Sequence, residues 1–143
     1  MRIVVSLIVL LVCSAGCGRS TEKTIETISL GKSHQSLKQH TEAIQCFTDV
    51  ILSEPDNAEA FYYRAQSYHA IDNPTAALND LRQAIALRPD WADPWCEAGK
   101  VYQATDRKVK ALENLNQAIR LDSENASAIL ARGRLLYLSL IHI

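Results

Sequence analysis

A shift of 34 residues lays this sequence over itself. Ala43, Ala77 and Ala111 then coincide, as do Phe47, Leu81 and Leu115; Val50, Ala84 and Ala118; and Ile51, Ile85 and Ile119, while Pro55 falls on Pro89. Gly31, Ala65, Gly99 and Gly133 share one register, which takes in every glycine after Gly18. Such a period constrains the fold more than composition does. A supersecondary unit of this size cannot bury its own apolar face and must stack against copies of itself.

Within each repeat the coincident apolar positions, joined by Ile44, Leu78 and Leu112, have the spacing that gathers side chains into one stripe of a helix. They predict helices over 41–53, 75–88 and 109–121. Pro55 and Pro89 end the first two, because proline lacks an amide hydrogen and disfavours helix in the residue before it. A second helix precedes each of these, over 24–37, 58–71 and 92–105, and a last one runs from 126 to about 139. Asn57 and Asn125 are placed to cap two of them, and Pro94 suits a first turn. The short connectors Lys38-Gln39-His40, Asp72-Asn73-Pro74 and Asp106-Arg107-Lys108 force each pair to lie antiparallel and touching. The small residue at 31, 65, 99 and 133 lets their axes approach.

In these positions the sequence resembles the tetratricopeptide repeat. The third repeat carries the pattern in Trp95, Gly99, Tyr102, Ala111, Leu115 and Ala118, and the second in Phe61, Ala65, Tyr68, Ala77, Leu81, Ala84 and Pro89. The first keeps Gly31, Ala43, Phe47 and Pro55, but has Thr27 and His34 where large aromatics are usual. The resemblance implies an all-α, right-handed superhelical solenoid of antiparallel helix pairs, with repeats at 24–57, 58–91 and 92–125 and a partial fourth at 126–143. That fourth unit lacks a second helix and a polar cap, so a truncated reading frame is expected.

Residues 3–12 read IVVSLIVLLV, follow Arg2 and lead into Ser14-Ala15-Gly16. At about 1.5 Å of rise per residue this run falls well short of the roughly 30 Å hydrocarbon core, which makes 1–16 a signal peptide rather than a membrane span. Cys13-Ser14-Ala15-Gly16-Cys17 resembles the lipobox of bacterial lipoproteins, with Ser14 where an aliphatic residue is usual. The resemblance implies cleavage before Cys17, acyl chains on Cys17, and a short linker to residue 23. Gly18 after the cysteine, rather than Asp, resembles the Gram-negative sorting pattern for the outer membrane. The expected location is therefore exported and lipid-anchored to the bacterial cell membrane or outer membrane, with a soluble secreted or periplasmic form as the alternative.

Function is bounded first by charge. A formal net charge of −1 and no basic block longer than Arg107-Lys108-Val109-Lys110 exclude charge-driven nucleic-acid binding. His34, His40, His69 and His142 fall on different predicted elements with no nucleophile, metal or phosphate motif at matching spacing. No enzymatic activity, cofactor, metal or small-molecule substrate is expected. Cys46 and Cys96 lack a second pair and read as small, half-buried hydrophobes.

The family resemblance supplies the positive reading. First helices of such repeats line a concave groove at their second, fifth, ninth and twelfth positions. Carried over, these are Ile25, Ile28, Lys32 and Gln35; Glu59, Tyr62, Gln66 and His69; and Asp93, Cys96, Lys100 and Gln103. Ile28, Tyr62 and Cys96 would offer apolar contact, and Gln66 and Gln103 would hydrogen-bond a peptide backbone. Tyr62 and Trp91 read as contact aromatics, Trp95 and Phe61 as core. The family's clamp for chaperone C-terminal carboxylates maps to Ile28, Lys32, Tyr63, Asp93 and Glu97, where one cation faces two acids, so chaperone tails are not the expected ligand. The expectation is a scaffold binding the peptide or helix of an unidentified protein partner near a membrane. The alternatives are the N-terminal adaptor of a longer enzyme or secretion component, and a structural homo-oligomer.

Overall fold

The computed structural model describes residues 21–141. The expected signal peptide, 1–16, and the expected lipidation site Cys17 lie outside the described residues. Helix α1 covers residues 21–36, followed by α2 (His40–Ser53), α3 (Ala58–Ala70), α4 (Pro74–Leu87), α5 (Ala92–Ala104), α6 (Lys108–Leu121) and α7 (Ala126–Ile141). No strand occurs among the described residues, and no helix there is long and apolar enough to cross a membrane. The stretch expected as linker up to residue 23 is already helical from 21. Thr24 is buried there and donates to Glu54 Oε1 at 2.5 Å, which ties α1 to the end of α2.

Each hairpin closes in the same way. Lys38, Asp72 and Asp106, one per repeat, adopt left-handed φ values of 60°, 57° and 55°. The next amide in each case, of Gln39, Asn73 and Arg107, donates back to the carbonyl of His34, Tyr68 and Tyr102 at 2.9, 2.8 and 2.8 Å. This arrangement satisfies helix-end carbonyls without glycine. At the helix starts, the Asn57 and Asn125 side chains accept from the Ala60 and Ala128 amides at 3.0 and 2.9 Å. Asn73 caps α4 likewise, from Ala76 at 3.2 Å, with Pro74 behind it.

Three buried clusters run along the stack, and each joins a hairpin to the first helix of the next. Phe47 and Val50 pack with Ala60; Leu81 packs with Ala98 and Val101; Leu115 packs with Ala128 and Leu135. Each repeat thus completes its neighbour's core, which makes the fold a solenoid rather than a closed bundle. Within a hairpin the small residue sets the separation: a Cβ on Gly31 would stand 2.6 Å from the Phe47 ring, and one on Gly99 2.6 Å from Leu115 Cγ. Helix α7 keeps the repeat's inner face, burying Ala128, Ala131 and Leu135, while Leu130 and Tyr137 are exposed.

Candidate functional site

The first helices α1, α3 and α5 bring Lys32, Tyr62, Gln66, Lys100 and Gln103 to the molecular surface, all of them at least partly exposed. Two expected contact residues are placed otherwise. Ile28 is 9% exposed and Cys96 3%, and both belong to core clusters. Each first helix is sandwiched between two neighbours, so its buried stripe is wider than the spacing of large apolar residues suggests. Burial pushes the Cys96 thiol up, against a hydrogen bond with Ser127 that lowers it, and the side chain packs within the core. Gln35 is committed as well: its Nε2 donates to the Tyr63 carbonyl at 2.8 Å and to Ser67 Oγ at 2.9 Å, riveting α1 to α3.

His69 and Lys100 converge on an acid that the groove positions do not include. Glu97 is buried, with His69 Nδ1 at 2.7 Å from Oε1 and Lys100 Nζ at 3.3 Å from Oε2. Burial pushes the Glu97 carboxyl up, but the His69 hydrogen bond and the charges of Lys100 and His69 outweigh it and hold the group below the usual range. The result is a hydrogen-bonded bridge from α3 to an ionised carboxylate of α5 beneath the groove.

The dominant surface feature is a row of rings. Trp91 lies 4.7 Å from Tyr62, and Tyr62 5.1 Å from Tyr63, between ring centroids. A cation closes each end, with the Arg88 guanidinium 4.2 Å over Trp91 and Lys32 Nζ 4.1 Å over Tyr63. The row is held in place from below and from the side. Tyr63 stacks on buried Phe47 at 5.8 Å, Gln66 Nε2 donates to the Tyr62 hydroxyl at 2.9 Å, and Trp91 Nε1 donates to Asp93 Oδ2 at 3.1 Å. Burial pushes the Tyr62 phenol well above its ordinary value, and Glu97 and Asp93 push it further, so it remains an O–H donor. Beyond Lys100 the surface continues into a depression of about 480 Å³ between α5 and α7, where Gln103, Ser127, Leu130 and Arg134 converge.

The sequence pointed to Tyr62 and Trp91, and the structure brings them together. It pointed to Tyr63 only as a clamp position that has lost the family's polar residue, and to Arg88 not at all. Arg88 reaches Trp91 from just beyond the end of α4, across a turn, where no helical period applies.

Profiles described as tetratricopeptide repeat match residues 28–94 and 92–125. No curated protein sequence matches the chain. Among solved structures, the first TPR of Spaghetti (RPAP3) bound to the HSP90 peptide SRMEEVD superposes with a TM-score of 0.78 at 19% identity, covering 83% of this chain and 94% of that one. The second TPR domain of human RPAP3 in complex with the HSP70 peptide SGPTIEEVD gives 0.75 at 21% identity over 81% and 97%. MamA gives 0.74 at 25% identity over 81% of this chain and 68% of that one.

Proposed function

This chain belongs to the tetratricopeptide-repeat family, and from that premise we propose that it is a protein-interaction scaffold that lays an extended partner peptide along the row Arg88–Trp91–Tyr62–Tyr63–Lys32. The row carries the reading. Rigid rings with two torsions each supply contact area at low entropic cost, and flanking cations add directional contacts to carbonyls or carboxylates. Past the row, Lys100 and Gln103 offer donors to a peptide backbone without demanding one side chain. Two structural neighbours hold acidic chaperone peptides. At the clamp positions this chain has Asp93 and an ionised, buried Glu97, which favours a different peptide.

The scaffold works at a membrane in this proposal, held there by acyl chains on Cys17, since more than one chain is needed for stable anchoring. Labelling with a fatty acid should mark the wild type and leave Cys17→Ser unmarked. Peptide binding is tested on an array of extended peptides. Tyr62→Ala and Lys100→Glu should each weaken capture of the same peptides by about tenfold. Undiminished capture by both variants, or no capture by the wild type, refutes the groove.

A further inference from the structure

The gap between successive second helices is filled at one junction and open at the next. Between α2 and α4 it is closed by Arg64 of α3. Arg64 Nε and Nη2 donate to Asp80 at 2.7 and 2.8 Å, Nη1 donates to Thr48 Oγ1 at 3.1 Å, and the guanidinium lies 5.7 Å from the Phe61 ring and 5.9 Å from Tyr68. One repeat beyond the open junction, Arg132 reaches back in the same way to Asn116 at 3.0 Å. The residue midway in register is Ala98.

With no arginine there, the gap between α4 and α6 is a cavity of about 220 Å³. Its floor and walls are Ala98, Trp95, Tyr102, Leu81 and Ile85, with Arg82 and Asn114 at the rim. Trp95 and Tyr102 replace Phe61 and Tyr68, so the aromatic walls remain. The charges do not. Asn114 stands for Asp80 and Arg82 for Thr48, so the acid has become neutral and a cation has been added. Lys110 adds a second, 5.8 Å from the Tyr102 ring. Among the described residues, Arg82 itself is held only by the neutral Asn79 Oδ1, at 2.9 Å. A space this apolar also suits water poorly, because each enclosed water needs about two to four polar partners.

We propose that this pocket is a second docking site, which takes one bulky apolar side chain of a partner protein with a neighbouring carboxylate reaching Arg82. The occupant follows from comparison with the filled junction: the walls that sandwich Arg64 accept a flat or branched apolar group, and the reversed rim charge rejects a guanidinium and attracts an acid. The site is separate from the ring row. At about 100° per residue, Trp95, Ala98 and Tyr102 face away from Lys100 and Gln103 on α5, so the proposal does not rest on the groove.

The test is an NMR titration of the full chain with three capped dipeptide amides, acetyl-Asp-Phe, acetyl-Lys-Phe and acetyl-Asp-Ala, following the Trp95 indole resonance assigned from Trp95→Phe. Acetyl-Asp-Phe should shift it, and the other two should bind about tenfold more weakly. Ala98→Arg combined with Asn114→Asp rebuilds the Arg64–Asp80 plug and should abolish the shift while the chain stays folded. Arg82→Glu should weaken acetyl-Asp-Phe about tenfold. Equal binding of the lysine and aspartate peptides, an undiminished shift in Arg82→Glu, or binding that survives the plug overturns the proposal.

Discussion

Three glycines at one repeat position meet three different surroundings, which turns one substitution into a controlled experiment. Replacing glycine by alanine inside a helix contributes about 0.5–1 kcal/mol through backbone entropy alone. At Gly133 nothing lies within 4 Å of the new methyl group, so that gain should appear whole, raising Tm by about 4 °C for a domain of this size. At Gly99 the methyl would stand 2.6 Å from Leu115 Cγ and 2.8 Å from Cδ2, and at Gly31 2.6 and 2.7 Å from Phe47 Cε1 and Cζ. Both neighbours are wholly buried. Overpacking costs about 1–3 kcal/mol, enough to reverse the sign.

The two clashes should differ. The second repeat already accommodates Ala65 opposite Leu81, so Leu115 has a workable arrangement to adopt, and Gly99→Ala should come out near neutral. A rigid ring must swing as a whole, so Gly31→Ala should be destabilised by about 1–2 kcal/mol. Adding Phe47→Leu to it recreates the Ala65–Leu81 pairing, and the coupling between the two changes should favour the double variant by about 1 kcal/mol. Urea unfolding of the wild type, the three glycine variants, Phe47→Leu and the double variant reads all of this. If Gly31→Ala is as stable as Gly133→Ala, the small residue does not set the helix separation.

Asp80→Asn should cost about 3 kcal/mol, since Arg64, with 16% of its side chain exposed, loses its carboxylate partner; adding Arg64→Ala should recover most of it, because Ala98 with Asn114 is the same pair one repeat on. Glu97 is held below its ordinary value of 4.5 in the folded chain, so the unfolded chain takes up its proton first on acidification. Its contribution is complete above about pH 4.5 and is lost as pH falls through the folded value, so Glu97→Gln should flatten the acid limb of stability against pH. Asn57→Ala removes a cap and should cost about 1 kcal/mol in thermal unfolding.

What could be read from the sequence is what depends on one chain segment at a time. Helix bounds agree to within a residue for α2 to α6, because period, caps and proline stops act locally. Contacts within a hairpin recur at a separation of sixteen, Gly31 with Phe47, Gly99 with Leu115 and Arg64 with Asp80, and the same separation links neighbouring hairpins where Arg64 reaches back to Thr48 and Arg132 to Asn116. That regularity was present in the sequence and could have exposed the Arg64 plug. The ring row could not be found this way. It crosses from α1 through α3 to the turn before α5, and which side chains meet depends on the rotation between repeats, which no single period encodes. The same rotation buries Ile28 and Cys96. The left-handed Lys38, Asp72 and Asp106 were hidden because no glycine marks them.

Trp91 sits where Asn57 and Asn125 cap their helices, yet it makes no capping bond. The loss is harmless for a reason three residues on. The capping oxygen of Asn57 serves the amide of Ala60 and that of Asn125 the amide of Ala128, but the corresponding residue in α5 is Pro94, which has no amide hydrogen. Proline removes the donor and thereby frees position 91 for a side chain that contributes to the groove instead. Trp91→Asn alone should therefore lose the contacts with Tyr62 and Arg88 and gain no cap, so stability falls. Adding Pro94→Ala restores the donor, and the double variant should exceed Trp91→Asn by about 1 kcal/mol in urea unfolding while binding peptides no better. If Trp91→Asn by itself stabilises the chain, another amide needed that cap, and the exchange of capping for contact did not occur.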